Sequence, residues 1–164
     1  MNKQIFIIIF SLIIGIGIGI MLTVIAYPFV FPPPEVNEQI SNIKNKQLTH
    51  SGIFIQPNPS DPVHWGKGKV AVYEHGNDHE IFLDEDFEVG PGPAYHVYLS
   101  SAADVISNEQ FENATNYDLG KLKSFRSSQV YQAPSNFEST QIKSVVIWCK
   151  TFSQLITSAT LDNK

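Results

Sequence analysis

The hydrophobic pattern begins with one long apolar run: the 22 residues from Ile5 to Ala26 carry no charge. An α-helix of about 20 apolar residues crosses the roughly 30 Å hydrocarbon layer of a bilayer. A cleaved signal peptide is the competing interpretation, but its apolar part is about 7 to 15 residues long and is followed by a small-residue cleavage site. We therefore expect an uncleaved signal-anchor, a transmembrane helix over residues 5–27.

The charges that flank this run predict its orientation. Lys3 and the N-terminal amine precede the run, and Glu35 and Glu38 follow it. Because positive charge favours the cytoplasmic side, we expect a cytoplasmic N-terminus at residues 1–4. The Pro-rich exit and polar linker then cover residues 28–49. We therefore expect a single-pass membrane protein whose C-terminal domain, residues 50–164, lies in the periplasm or outside the cell.

The pattern changes after residue 50 to short apolar runs separated by Gly, Pro, Asn and Asp. Such spacing is typical of antiparallel strands. The fold class predicted is all-β, a small antiparallel β-sandwich or open barrel of about seven strands. The predicted strands are Gly52 to Gln56, Gly68 to Glu74, Glu80 to Leu83, Tyr95 to Ser100, Gln129 to Gln132, Lys143 to Lys150 and Gln154 to Leu161.

Three connections between these strands have recognisable sequences. Gly76-Asn77-Asp78 suits a hairpin turn, because Gly and Asn accept a positive φ. Gly90-Pro91-Gly92-Pro93 predicts a turn, because proline cannot donate a hydrogen bond to a sheet. Residues 101–119 are rich in Asn, Ser, Glu and Asp, which predicts a long loop. A helical turn from Ser107 to Asn113, with Ser107 as its cap, is expected within that loop.

Charge and motifs exclude several function classes. The net charge is -5, and Lys and Arg do not cluster into a stripe, so nucleic acid is not an expected partner. The chain has neither the Gly-x-Ser-x-Gly elbow of hydrolases nor the HExxH helix of zinc proteases. We do not expect an independent enzyme. The membrane is the one partner that the sequence itself indicates.

The single cysteine, Cys149, is the residue of greatest chemical interest. One cysteine excludes an intramolecular disulfide and a CxxC redox pair. It lies in the strongest predicted strand, where the two-residue period places Val145, Ile147 and Cys149 on one face. One interpretation is a small buried hydrophobe. The other is a reactive thiolate or an axial ligand of haem iron, which requires a nearby cation or metal.

Histidines and carboxylates give weaker signals for a metal. The pair His75 and His79 flanks the predicted hairpin turn, but its spacing matches no zinc motif. The run from Asp84 to Asp86 lacks the spacing and the glycine of a calcium loop. No metal site is therefore predicted.

Taken together, the segments from His64 to Leu161 resemble the DM13 domain family, whose members are extracytoplasmic β-rich modules assigned to electron transfer. The matching segments are His64-x-Gly66-x-Gly68-x-Val70, Asp86-Phe87, Gly92-Pro93, Val97-Tyr98-Leu99-Ser100, Leu119-Gly120-Lys121-Leu122-Lys123, Gln129 with Tyr131 and Pro134, Val145 to Lys150 with Phe152, and Ala159 with Leu161. The chain departs from the family at Ala94, where an acidic residue is usual, and at Ser124 and Ser127, where glycines are usual.

This resemblance implies a redox role for Cys149, as a bare thiol or as a haem ligand, so haem is the cofactor that it suggests. Two hypotheses follow for function. The first is a membrane-anchored extracytoplasmic redox or electron-transfer module that uses Cys149. The alternative is a non-enzymatic extracytoplasmic binding or scaffolding module in which Cys149 packs in the core.

Overall fold

A computed structural model describes residues 3–76, 78–134 and 141–164. Its first element is the helix α1, Lys3–Val30, which includes Pro28 and ends three residues beyond the predicted anchor. At about 1.5 Å per residue, this helix is roughly 42 Å long. It is long and apolar enough to cross a membrane, and none of its most apolar 18-residue stretch is buried against the rest of the chain.

The rest of the described chain is mostly strand. Eleven strands, a short α-helix, α2, and a 3-10 helix at Ile43–Asn45 follow α1 in the described residues. The strands and α2 are β1 Gln47–Ile53, β2 Gly66–Lys67, β3 Lys69–His75, β4 Asp78–Leu83, β5 Glu88–Val89, β6 Tyr95–Ser100, α2 Asn108–Glu112, β7 Asn116–Lys121, β8 Gln129–Gln132, β9 Ser144–Cys149, β10 Gln154–Thr160 and β11 Asp162–Asn163.

These strands form two main antiparallel sheets arranged as a sandwich. One sheet has the order β11-β1-β3-β4-β8 and the other has the order β10-β9-β6-β7, while β2 and β5 form a small separate ribbon. In the described residues neither sheet closes into a barrel. The predicted all-β, sandwich-like fold class is therefore confirmed.

The main core lies between the two sheets, and a second apolar cluster lies on the opposite side of the β9 sheet. Ile81 and Leu83 of the first sheet and Val97 and Ile147 of the second belong to the main core and are completely buried. The second cluster consists of Val105, Phe111, Val146, Trp148 and Leu155. Because both faces of β9 are covered, all six of its residues are buried.

The predicted long loop over residues 101–119 is partly wrong. Its helical turn is present as α2, where Ser107 accepts a hydrogen bond from the Gln110 N–H and the Gln110 side chain bonds the Ser107 N–H. This reciprocal arrangement is a capping box. The end of the predicted loop is strand β7, which pairs with β6 at the edge of the second sheet.

The segment between α1 and β1 lies against the domain. The Glu38 N–H donates to the Ser128 carbonyl at 3.0 Å, and the Glu38 carboxylate accepts from the Val130 N–H at 2.8 Å. Lys123 Nζ also lies 2.6 Å from the Glu38 carboxylate. Ile40, two residues on, is buried. The polar linker expected at residues 28–49 thus contacts β8, and β1 begins at Gln47, inside its expected range.

Candidate functional site

Cys149 is the last residue of β9 and faces the main core. Val145 and Ile147 precede it on the same face, as the two-residue period predicts, and Val146 and Trp148 point to the second cluster. In the sheet, Cys149 is opposite Tyr95 of β6 on one side and Gln154 of β10 on the other. Cys149 therefore lies at the end of a central strand, next to the connection that enters β6.

The connection above Cys149 is the turn Gly90–Ala94, which we call the thiol turn. Cys149 Sγ donates a hydrogen bond to the Pro93 carbonyl at 3.1 Å, and the Lys150 N–H donates to the Ala94 carbonyl. Only 2 % of the Cys149 surface is exposed. The thiol turn is therefore part of what separates the thiol from solvent.

The thiol turn leaves little free space on its inner side. A Cβ atom added at Gly92 would overlap the hydroxyl group of Tyr95, a residue that is itself buried. Ala94 has a φ of 49°, a left-handed conformation that is costly for a residue with a side chain. The turn therefore holds a close contact at Gly92 and a strained backbone at Ala94, immediately beside the thiol.

Burial keeps Cys149 protonated. It raises the pKa of the thiol above its ordinary value of 9.0, and hydrogen bonds from the Phe152 and Thr151 N–H groups lower the pKa by less. Burial also raises the pKa of the neighbouring Tyr95 phenol. At neutral pH the closed site thus holds a thiol, whereas nucleophilic attack and metal ligation both require a thiolate.

The Cys149 site does not fit haem. An axial cysteine ligand must be deprotonated and must have the face of the porphyrin directly beside its sulfur. Cys149 instead is a protonated thiol that donates a hydrogen bond to the Pro93 carbonyl, and its low exposure leaves no surface against which a porphyrin could stack.

A polar cluster lies on the outer face of the same sheet, and we call it the Asp118 cluster. His96 Nδ1 lies 2.8 Å from Asp118 Oδ1. Tyr98 OH donates to Asp118 Oδ2 at 3.1 Å, and Lys150 Nζ lies 3.2 Å from the same oxygen. The Gly120 N–H donates to Oδ1 at 2.9 Å. One carboxylate thus joins β6, β7 and the residue after β9.

The charge of Asp118 is stabilised by these donors. Burial raises the pKa of Asp118, but hydrogen bonds from His96, the Gly120 N–H and Lys150 together lower it by more than burial raises it. The pKa of Asp118 is therefore below its ordinary value of 3.8. Burial and the charge of Asp118 raise the pKa of Tyr98 to about 12. The cluster therefore combines an ionised carboxylate with a Tyr98 phenol that stays protonated at neutral pH, and its hydrogen bonds join neighbouring strands.

Sequence reasoning did not find the Asp118 cluster. Because Asp118 lies within the predicted loop over residues 101–119, no strand is predicted through Asn116, Asp118 and Gly120. Their alternation was the available signal, since a strand places every second residue on one face. His96 lies in the predicted strand from Tyr95 to Ser100, and no role is predicted for it from the sequence.

The other histidines do not assemble a metal site. His75 Nδ1 contacts the Asn45 carbonyl at 2.8 Å, His79 lies opposite Glu74, and His64 Nδ1 lies 2.7 Å from Asp61 Oδ2. Within residues 3–76, 78–134 and 141–164, no group of three or more His, Cys, Asp or Glu residues could hold a metal ion. Asn77, in the predicted hairpin turn, lies outside the described residues.

Comparison with protein families identifies the domain. A family model described as "Electron transfer DM13" matches residues 59–161, which is more than half of the chain. The chain belongs to the DM13 family. The DM13 match contains Cys149, the thiol turn and the Asp118 cluster. Searches of curated proteins and of solved structures gave no similar protein.

Proposed function

We propose that this DM13 chain is a membrane-anchored redox module whose domain lies outside the cytoplasm and whose redox group is the Cys149 thiol. The observation that carries the proposal is the position of the chain's single cysteine. It lies inside the segment that matches an electron-transfer family, at a strand end and directly beneath one turn. The apolar helix α1 supports the anchoring.

The redox step of this proposal is thiol–disulfide exchange with a partner protein. Cys149 gives its proton to water, and the resulting thiolate attacks one sulfur of a disulfide on the partner. A mixed disulfide forms between Cys149 and that sulfur, while the second partner sulfur leaves as a thiolate and takes up a proton. One cysteine is sufficient for this exchange.

The exchange requires the thiol turn to move. In the closed arrangement the hydrogen-bond acceptor of Cys149 is the Pro93 carbonyl, which is not a general base. Displacing the turn removes that acceptor, admits water and lowers the pKa that burial had raised. The redox partner supplies the disulfide, so the domain acts as one half of a redox pair and not as an independent enzyme.

A second candidate function is a binding or scaffolding module in which Cys149 only packs. The observation that favours it is the 2 % exposure of Cys149 together with its place in the main core. Free cysteine is among the most buried residue types and behaves as a small hydrophobe. In this case the sheet surfaces, and not the thiol, bind the partner.

Alkylation of the folded full chain in detergent distinguishes these functions. Under the redox proposal, a maleimide labels Cys149 well before global unfolding, and Cys149→Ala abolishes the chain's function in cells while the protein stays folded. Cys149→Ala with Asn163→Cys is the matched control, because Asn163 is exposed and its new thiol should label at once. A thiol that labels only on global unfolding, with Cys149→Ala and Cys149→Val both functional, would establish the packing role.

An absorption spectrum of the same preparation, from haem-replete cells, tests the cofactor. Since the Cys149 site does not fit haem, we expect the full chain and Cys149→Ser to show no Soret band. A Soret band that is lost or shifted in Cys149→Ser would make Cys149 a haem ligand and would require the thiol turn to open around the porphyrin.

A further inference from the structure

We propose that a groove between the end of α1 and the thiol turn binds an anionic phospholipid of the membrane that contains α1. This inference rests on the proposed insertion of α1 into a membrane. It assigns a ligand to a second site, the groove, which is separate from the Cys149 site.

The groove has a volume of about 890 Å³ and is mostly apolar. Val24 and Tyr27 of α1 form one wall, and Pro93, Tyr95 and Phe125 of the domain form the other. Because both walls carry aliphatic or aromatic carbon, the groove favours a ligand with hydrocarbon chains.

One wall of this groove determines where its ligand comes from. Tyr27 lies near the C-terminal end of the membrane-spanning helix, at the depth where aromatic residues meet lipid headgroups. Pro32 and Pro34, which follow α1, also line the groove. A molecule bound here touches the anchor at the surface of the bilayer. The ligand is therefore a membrane lipid, which can enter from the bilayer without crossing water.

The rim of the groove supplies positive charge. Lys121, the last residue of β7, lines the groove and is exposed, and in the part of the chain that the structure describes it forms no ion pair. Lys123 also lines the groove, but its Nζ contacts the Glu38 carboxylate and the Val130 carbonyl. Lys121 is thus the cation available to a lipid phosphate, and basic residues beside a membrane helix favour anionic headgroups.

The bound lipid would lie against the outer surface of the thiol turn. Pro93 has its carbonyl hydrogen-bonded to Cys149 and also lines the groove. Lipid binding and movement of the thiol turn therefore involve the same few residues, although the lipid site requires no chemistry at Cys149.

Photocrosslinking in nanodiscs tests the inference. The full chain is placed in phosphatidylcholine nanodiscs that contain the same fraction of photoactivatable phosphatidylglycerol or photoactivatable phosphatidylcholine. We expect phosphatidylglycerol to label the peptides around residues 90–95 and 121–125 more strongly than phosphatidylcholine does. Lys121→Gln should lower that labelling about fivefold, the effect of one lysine near a membrane surface, and Lys121→Glu should lower it further.

Lys143→Glu is the matched control for charge. Lys143 is exposed and precedes β9, at the opposite end of that strand from Cys149, so its reversal should leave the labelling unchanged. Labels confined to the α1 peptide, in a protein that resists carbonate extraction, would overturn the lipid site and leave the anchor intact. Release of the chain by carbonate would overturn both proposals. Equal labelling of the domain by both lipids would also overturn the anionic site.

Discussion

At the level of single residues, we expect the thiol turn to control whether Cys149 can react. The thiol is buried, protonated and hydrogen-bonded to Pro93, so a reagent reaches it only after the structure around it opens, and the thiol turn is the segment in direct contact with the sulfur. Gly92 is the residue in the turn at which a small change has a large steric effect, because a Cβ there overlaps the Tyr95 hydroxyl.

Gly92→Ala should therefore make Cys149 more reactive. The added methyl group overlaps Tyr95, so the turn must shift to relieve the overlap. Overpacking of this kind destabilises the closed turn by about 1 to 3 kcal/mol. The population with an open turn therefore rises by about fivefold or more. The measurement is the rate of maleimide labelling of the folded chain. Gly52→Ala is the control, since its Cβ overlaps the Thr160 carbonyl oxygen of another strand. Equal rates in the wild type and Gly92→Ala would show that the turn does not cover the thiol.

The Asp118 carboxylate is the second residue whose chemistry gives a prediction. Because its folded pKa lies below 3.8, the stability it contributes is present above that pH and is lost as the pH falls through the folded value. Asp118→Asn should cost about 1 kcal/mol of unfolding free energy at about pH 5, a modest figure because the carboxylate is partly exposed. The cost should shrink below about pH 4.

Urea unfolding of the wild type and Asp118→Asn at these two pH values measures the difference. Asp162→Asn is the matched control, since Asp162 is exposed on β11. If Asp118→Asn loses as much stability at the acidic pH as at the higher one, its effect does not come from the ionised carboxylate shared by His96, Tyr98 and Lys150.

At the level of elements, apolar alternation identified the central strands and missed the edge of the second sheet. Strands β6 and β8 have the predicted bounds, and β9 lies within its predicted range, because their residues pack on buried faces. The sequence did not reveal strand β7 because it is an edge strand. Within the described residues it pairs with β6 alone, and none of its own residues is fully buried. An exposed edge strand can form from polar residues, so the hydrophobic pattern does not predict it.

The connecting segment before β1 could not be placed from sequence for a related reason. Its contacts with the domain are made by Glu38 through Val130, Ser128 and Lys123, residues about 90 positions away in the chain. A single carboxylate in a polar stretch predicts nothing about a distant backbone N–H. The Asp118 cluster likewise joins three separate segments, so spacing along the chain does not reveal it.

Glu38→Gln should loosen this segment from β8. Burial raises the pKa of Glu38, but Lys123 and the Val130 N–H lower it to below 4.5, so the group is ionised at neutral pH. Hydrogen bonds to a charged group contribute about 1.5 to 3 kcal/mol, and the exposure of this pair reduces that contribution. Hydrogen exchange at the Val130 amide should accelerate by about threefold to tenfold.

Glu112→Gln makes the same chemical change on the exposed side of α2 and should leave exchange at Val130 unchanged. An unaltered rate in Glu38→Gln would mean that the segment is held by other contacts, with the buried Ile40 as the first candidate.

At the level of the whole molecule, the sequence was sufficient for the fold class and the family, because both depend on the order of buried strands and turns. It did not reveal that the end of α1, the thiol turn and Lys121 line one groove. That arrangement depends on how the segment after α1 lies on the domain. The side of the membrane on which the domain lies is predicted from the charges of Lys3, Glu35 and Glu38.

Those charges predict that the domain is outside the cytoplasm. The length of the apolar run predicts that α1 is retained. In a Cys149→Ala background, Asn163→Cys should react with a membrane-impermeant maleimide on intact cells. Asn2→Cys, which leaves Lys3 in place, should react only after permeabilisation. The reverse pattern would put the domain in the cytoplasm. Loss of the Asn2→Cys label from the mature chain would show cleavage, and with it the groove would lose its α1 wall and its route to a lipid.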